Sequence, residues 1–154
     1  MSRVKKTILK ECDERKYWVL KNEPEDYDFS SLVVDEETTW DGVRNFQANN
    51  HMKLMKKGDL CLYYHSVTGK AFQGVAKVAR EWQIDPKDKT GRFGTLRIAY
   101  EGTLKEAVPL ADIKADEQLR NIQFLRQVRL SVSKIDHKDF QHIIDMAGGL
   151  KKLN

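Results

Sequence analysis

The chain has 154 residues, 40% of them hydrophobic and 32% charged, with a formal net charge of +4. This length suits one domain, and this balance suits a folded core, which excludes a disordered tail and a two-domain protein. No apolar run approaches the roughly 20 residues that a membrane-spanning helix needs, so a cytoplasmic protein with no membrane partner is expected.

Met1–Lys10 carries Arg3, Lys5, Lys6 and Lys10 without an acid, and so holds the whole charge excess. The rest of the chain balances to zero. A protein gripping a long duplex neutralises several phosphates from its folded surface, so a neutral body lowers that expectation. Residues 1–14 are read as a basic, flexible lead-in and residues 15–154 as the domain. Cys12 and Cys61 make neither a disulfide framework nor a metal motif; Cys61 sits in an apolar run and reads as a small buried hydrophobe.

Tyr17–Leu20 is aromatic and β-branched and predicts a strand, ended by Asn22-Glu23-Pro24 because proline donates nothing to a ladder. Tyr27–Leu32 suggests a helical turn. Thr38–Gly42 reads as a loop feeding a helix over Val43–Met55, with Val43, Phe46, Asn50 and Leu54 on one side and Gly58 as its stop. A strand is expected over Leu60–Tyr64, another over Phe72–Ala79 and a third over Leu96–Tyr100, the last on the alternation of Leu96, Ile98 and Tyr100. Short helices are expected from Val108 to Lys114 and from Leu119 to Gln127, then a strand over Val128–Val132. Ile135–Met146 predicts a final helix with Asp136 as its cap and Phe140, Ile143 and Ile144 on its apolar side. Strands mixed with short helices, without regular long crossovers, argue for an α+β fold: a curved sheet or small barrel with helices outside.

Enzyme motifs are scarce. His65 and Ser66 are neighbours on a strand and point to opposite faces, which separates a nucleophile from its base. Gly-X-Ser-X-Gly is absent, the histidines lack zinc-protease spacing, and Gly91-Arg92-Phe93-Gly94 lacks the lysine and hydroxyl of a phosphate loop. No catalytic residue, metal ligand or cofactor is assigned.

Binding features are richer. Trp40-Asp41-Gly42-Val43-Arg44-Asn45 gathers an aromatic, a carboxylate, a guanidinium and an amide at a loop-to-helix junction. Trp40 is suited to stacking on a base, Asp41 and Asn45 to directional polar contacts, and Arg44 to a phosphate. The same residues equally fit a core anchor, a helix cap and an internal ion pair. Tyr63-Tyr64-His65-Ser66 ends a strand as a pocket rim would, and Arg129 and Ser131 are two apart and so share a face. Trp18 and Trp82 are candidates for an aromatic wall, with a core role the stronger reading of each.

Several of these segments together resemble the EVE domain. They are Lys16–Pro24, Thr38–Asn50 with its Trp-Asp-Gly-Val-Arg-Asn run, Met55–Asp59, Tyr64-His65-Ser66 and Arg129–Val132, and the likeness runs from Lys16 to Ile144. The resemblance implies a PUA-like fold, a curved mixed sheet or pseudo-barrel flanked by short helices and related to the YTH and ASCH domains. It implies a pocket for a modified nucleobase in DNA or RNA, drawing on Asn22, Glu23, Trp40, Asp41, Tyr64, His65, Ser66 and Arg129 to Ser131. Family members usually carry serine at Asn22, tyrosine at Phe46 and arginine at Asn49, so this chain keeps a polar group at the first position and lacks a phosphate-contacting candidate at the last. The resulting expectation is a non-catalytic reader of a modified base. The alternatives are an enzyme acting on modified bases or nucleotides, with His65, Asp41 or Glu23 as acid or base, and a protein-interaction or RNA-associated adaptor that works through its exterior, with protein partners left unspecified.

Overall fold

Apolar runs without alternation, Tyr17–Leu20 and Leu60–Tyr64, are buried along their whole length, which marks strands covered on both faces. In the computed structural model these are β1 (Tyr17–Asn22) and β3 (Leu60–His65), paired in parallel at the middle of a mixed sheet. The structure describes residues 15–151; the basic segment 1–14, with Cys12, lies outside the described residues.

The other strands are β2 (Glu37–Trp40), β4 (Ala71–Ile84), β5 (Gly94–Pro109), β6 (Val132–Ile135) and β7 (Leu150–Lys151). They pair antiparallel in the order β2-β5-β4-β3-β1-β6, with β7 also on β5, so the sheet is open, with β2 and β6 at its edges. Register shifts between β4 and β5 mark bulges, which bend that long ribbon. The helices are α1 (Phe29–Asp35), α2 (Phe46–Leu54), α3 (Leu110–Ala115), α4 (Gln123–Arg126) and α5 (His137–Met146). The expected α+β class, a mixed sheet flanked by short helices, is the one observed.

Strand alternation makes two cores. Tyr17, Val19, Leu62 and Tyr64 face α3, α4 and α5 through Ile113, Phe124 and Phe140. Trp18, Leu20, Cys61 and Tyr63 face α1 and α2 through Leu32, Ala48 and Met52. Cys61 is fully buried and unpaired, and burial pushes its thiol pKa up, as a small hydrophobe requires.

Several predicted bounds move. Helix α2 starts three residues later than expected because Asn45 caps it, its Oδ1 accepting from the Ala48 N–H at 2.8 Å. That start rotates the buried face onto Ala48, Asn49, His51 and Met52, while Phe46 and Leu54 stay 58% and 53% exposed. Val43 enters the core from the extended lead-in instead. The predicted loop at Thr38 is edge strand β2, fixed by its pairing with β5. Helix α4 is one turn long, and the last predicted strand lies four residues later, where β6 pairs with β1.

Candidate functional site

β1 and β3 end side by side, Leu20 opposite Tyr63, Lys21 opposite Tyr64 and Asn22 opposite His65. The pleat therefore sends Asn22, Tyr63 and His65 to the Trp40 face, and Lys21 and Tyr64 to the other. The sequence reading placed Tyr64 beside His65; adjacent residues of one strand are separated by the sheet, and the residue that joins His65 is Tyr63.

Tyr63 is the hub of the first group. Its ring meets Trp40 and His65 edge-on, both at 5.9 Å between centroids, and Phe29 at 5.3 Å. Its hydroxyl donates to the Tyr27 carbonyl at 2.9 Å. Burial pushes the Tyr63 pKa up to about 12, against a smaller opposing effect of the Asn22 side chain. Asn22 Oδ1 accepts from the Glu23 N–H at 3.0 Å, and the Asn22 carbonyl accepts from the Ser66 N–H at 2.8 Å.

His65 Nε2 accepts from the Phe29 N–H at 3.0 Å, which fixes a neutral ring with its proton on Nδ1. Burial lowers its pKa, with Asp28 opposing, and burial lowers that of His51 as well. A histidine with a folded pKa below its unfolded value of 6.5 contributes stability above that value and loses it as pH falls through the folded one. Melting temperature is therefore expected to fall between about pH 7 and pH 5 more steeply in the native protein than in His65→Gln, whose amide oxygen accepts the same bond without titrating. Parallel curves would show that this ring does not couple to folding.

Trp40 closes β2 opposite Leu96 and is 6% exposed. The other two indoles are satisfied: Trp18 Nε1 donates to Asp59 Oδ2 at 3.0 Å and Trp82 Nε1 to Asn49 Oδ1 at 2.9 Å. Trp40 Nε1 is buried with no hydrogen-bond partner among the described residues. A buried donor left unpaired costs about 1–3 kcal/mol. Trp18 and Trp82 thus act in packing, whereas Trp40 keeps an unused donor.

Its sequence neighbours diverge. Asp41 is exposed, and Gly42 turns the chain at φ +76°, a conformation that favours glycine. Arg44 is engaged internally, Nη2 to the buried Asp85 at 3.2 Å and Nη1 to the Val43 carbonyl at 2.8 Å, with its guanidinium 5.6 Å from the Phe93 ring centre. Asn45 is the α2 cap. Of the two readings left open for Arg44 the geometry takes the internal one, and the cap for which Asp41 was the candidate is Asn45. Asn49 is 2% exposed and clamps the β4–β5 ribbon, donating to the Arg92 carbonyl and accepting from Trp82 and Gly94, so it occupies an interior position and not a phosphate-contacting one.

On the opposite face, Glu23, Tyr64, Ser66 and Arg129 line a separate cleft. The Ser131 carbonyl accepts from the Lys21 N–H at 2.9 Å and ties β1 to the segment before β6. Of the eleven predicted positions, Asn22, Trp40 and His65 share one face, Glu23, Tyr64, Ser66 and Arg129 line this cleft, Asp41 is exposed, Arg44 is held in an ion pair, Asn45 caps a helix and Ser131 ties β1 to the segment before β6. Phe29 and Tyr27 were missed because they read as core or turn, and Tyr63, named in the strand-end rim, was not joined to Trp40, although strand alternation alone was enough to pair it with His65. Among the described residues no cluster of three His, Cys, Asp or Glu side chains is placed to hold a metal ion.

The model of the EVE domain matches residues 16–146. Thymocyte nuclear protein 1 of Homo sapiens is 26% identical over 164 residues, covering 84% of this chain and 73% of the human protein. A protein of Rhodopseudomonas palustris, solved by NMR, superimposes with a TM-score of 0.82 at 35% identity, over 86% of this chain and 93% of its own. The human protein solved in complex with DNA containing 5-methylcytosine gives 0.79 at 24% identity, over 90% and 99%. A YTH domain of Zygosaccharomyces rouxii in complex with N6-methyladenosine RNA gives 0.59 at 12% identity, over 93% and 91%, a likeness of fold.

Proposed function

Because the chain belongs to the EVE domain family, we propose that it is a non-catalytic domain that binds a modified nucleobase of DNA or RNA in an aromatic-lined pocket around Trp40. The observation that carries this reading is the buried Trp40 N–H without an acceptor among the described residues, set beside Tyr63 and near the paired ends of β1 and β3. Every nucleobase offers ring nitrogen or carbonyl acceptors in its plane, so an inserted base supplies what the indole lacks. Exposed Asp41 is a complementary acceptor for an exocyclic amine, and Asn22 offers both donor and acceptor.

Human thymocyte nuclear protein 1 with its methylated DNA, and the YTH domain with its methylated RNA, support this class of ligand. The near-complete burial of Trp40 changes the expected mode of contact. The base meets the indole edge through its N–H, after the Asp41-Gly42 lead-in moves aside, in place of stacking on an open ring face. Extruding a base costs a few kcal/mol, and stacking and edge contacts in the pocket must offset that.

Trp40→Phe removes the donor while keeping an aromatic ring. Stability is expected to change by less than about 1 kcal/mol, since the orphan donor and the lost area offset each other. Affinity for 5-methyl-2′-deoxycytidine or N6-methyladenosine, followed by tryptophan emission or calorimetry, is expected to fall roughly tenfold, the worth of one buried hydrogen bond. Modified oligonucleotides are expected to keep their mass on incubation. Absence of any response across a panel of modified nucleosides, or undiminished binding by Trp40→Phe, would overturn the reading.

A further inference from the structure

We infer that the cleft on the sheet face opposite Trp40 is a second binding site, which takes a nucleotide with its phosphate among the cations and the face of its base against the apolar floor. The cleft has a volume of about 680 Å³. Its floor is apolar: Leu110, Leu125 and the rings of Tyr64 and Phe124, which meet edge-on at 4.7 Å. Lys21 and Arg129 stand on one wall, where the β1 end adjoins the segment leading into β6, and Lys70 and Lys114 stand on the other, beside α3. Glu23 is the one acid among the lining residues.

Three of these four cations have nothing to hold them: the side chains of Lys70, Lys114 and Arg129 make no ion pair or hydrogen bond with the described residues, and they converge on one cleft. Lys21 donates to the Val128 carbonyl and lies 4.9 Å from the Phe124 ring centre, so the cleft holds one cation already desolvated against an aromatic. An anion between the two walls relieves their mutual repulsion, and the apolar floor receives what is attached to it.

Two further features mark the cleft. Tyr64 is 3% exposed, yet its hydroxyl makes no hydrogen bond with the described residues although it lines the cleft. Val67, on the lip, is 63% exposed and holds φ +67°, a strained conformation for a β-branched residue of the kind that persists at ligand clamps. Unpartnered cations, an unpartnered hydroxyl and a desolvated aromatic floor together match a nucleotide better than they match inorganic phosphate or a neutral nucleoside. This site uses none of the groups that face Trp40, so it stands or falls apart from the base pocket.

The test is calorimetric titration with adenosine 5′-monophosphate, adenosine, inorganic phosphate and a 5′-phosphorylated dinucleotide. Adenosine 5′-monophosphate or the dinucleotide is expected to bind, with adenosine and phosphate each roughly tenfold weaker or more. Lys70→Glu with Lys114→Glu is expected to abolish this binding at an unchanged melting temperature, whereas Trp40→Phe leaves it intact. Binding of the mononucleotide assigns the cleft to free nucleotides, and binding of the dinucleotide alone assigns it to a strand. No binding by either, equal binding of inorganic phosphate, or binding that survives the double charge reversal overturns the inference.

Discussion

Gly74→Ala is expected to destabilise the protein by about 3 kcal/mol, the upper range for overpacking a core, and to loosen the Trp40 site with it. A methyl group at Gly74 would stand 2.3 Å from Phe29 Cζ and 2.5 Å from the Gly102 carbonyl oxygen. The carbonyl belongs to β5, paired with β4 at this point, and retreats only by opening the ladder. Phe29 is equally confined: it is 3% exposed, its ring packs on Tyr63 and Tyr100, and its N–H is the donor to His65. Displacing it disturbs Tyr63 and His65, the neighbours on the Trp40 face. Urea unfolding measures the first effect and nucleoside titration of the folded fraction the second. A loss under about 0.5 kcal/mol would mean that Phe29 has room to swing, contrary to the packing described.

Asp59→Ala is expected to be at least as damaging, on the order of 4 kcal/mol. Asp59 is 1% exposed, and its two carboxylate oxygens accept from the Lys16 N–H, the Trp18 indole and the Lys56 N–H, each at 3.0 Å. This carboxylate ties the entry of β1 to the turn before β3, and its removal strands three donors at once. Asp59→Asn keeps one acceptor oxygen and should lose roughly half as much. Equal stabilities of the alanine variant and the native protein in urea would refute the anchoring role.

What the sequence disclosed follows from which forces are local. Continuous apolar runs located β1 and β3, and the apolar stripe of Phe140, Ile143 and Ile144 located α5, because burial on a face leaves a period. β2 was invisible: Glu37–Trp40 has a mixed pattern, and it is a strand only because β5 lies beside it. The start of α2 was misplaced although Asn45 is a good cap by composition, since Val43 and Phe46 have helical spacing and only the core shows which of them is inside. Arg44 was undecidable between phosphate and carboxylate because its partner, Asp85, lies 41 residues away. Composition singled out Trp40 as a candidate and placed Tyr63 in the strand-end rim without joining the two, although the alternation that parts His65 from Ser66 also parts His65 from Tyr64.

The position of β2 at the rim of the sheet has a consequence for how a ligand enters. Tyr63 and His65 sit on β3, bonded on both sides inside the sheet between β4 and β1, whereas Trp40 ends a four-residue strand bonded on one side only. One half of the proposed pocket is thus as durable as the protein itself, and the other half peels away at small cost. Amide protons of Thr38–Trp40 should trade with solvent long before those of Leu62–Tyr64, and a captured base should narrow that gap by holding the hinged wall shut.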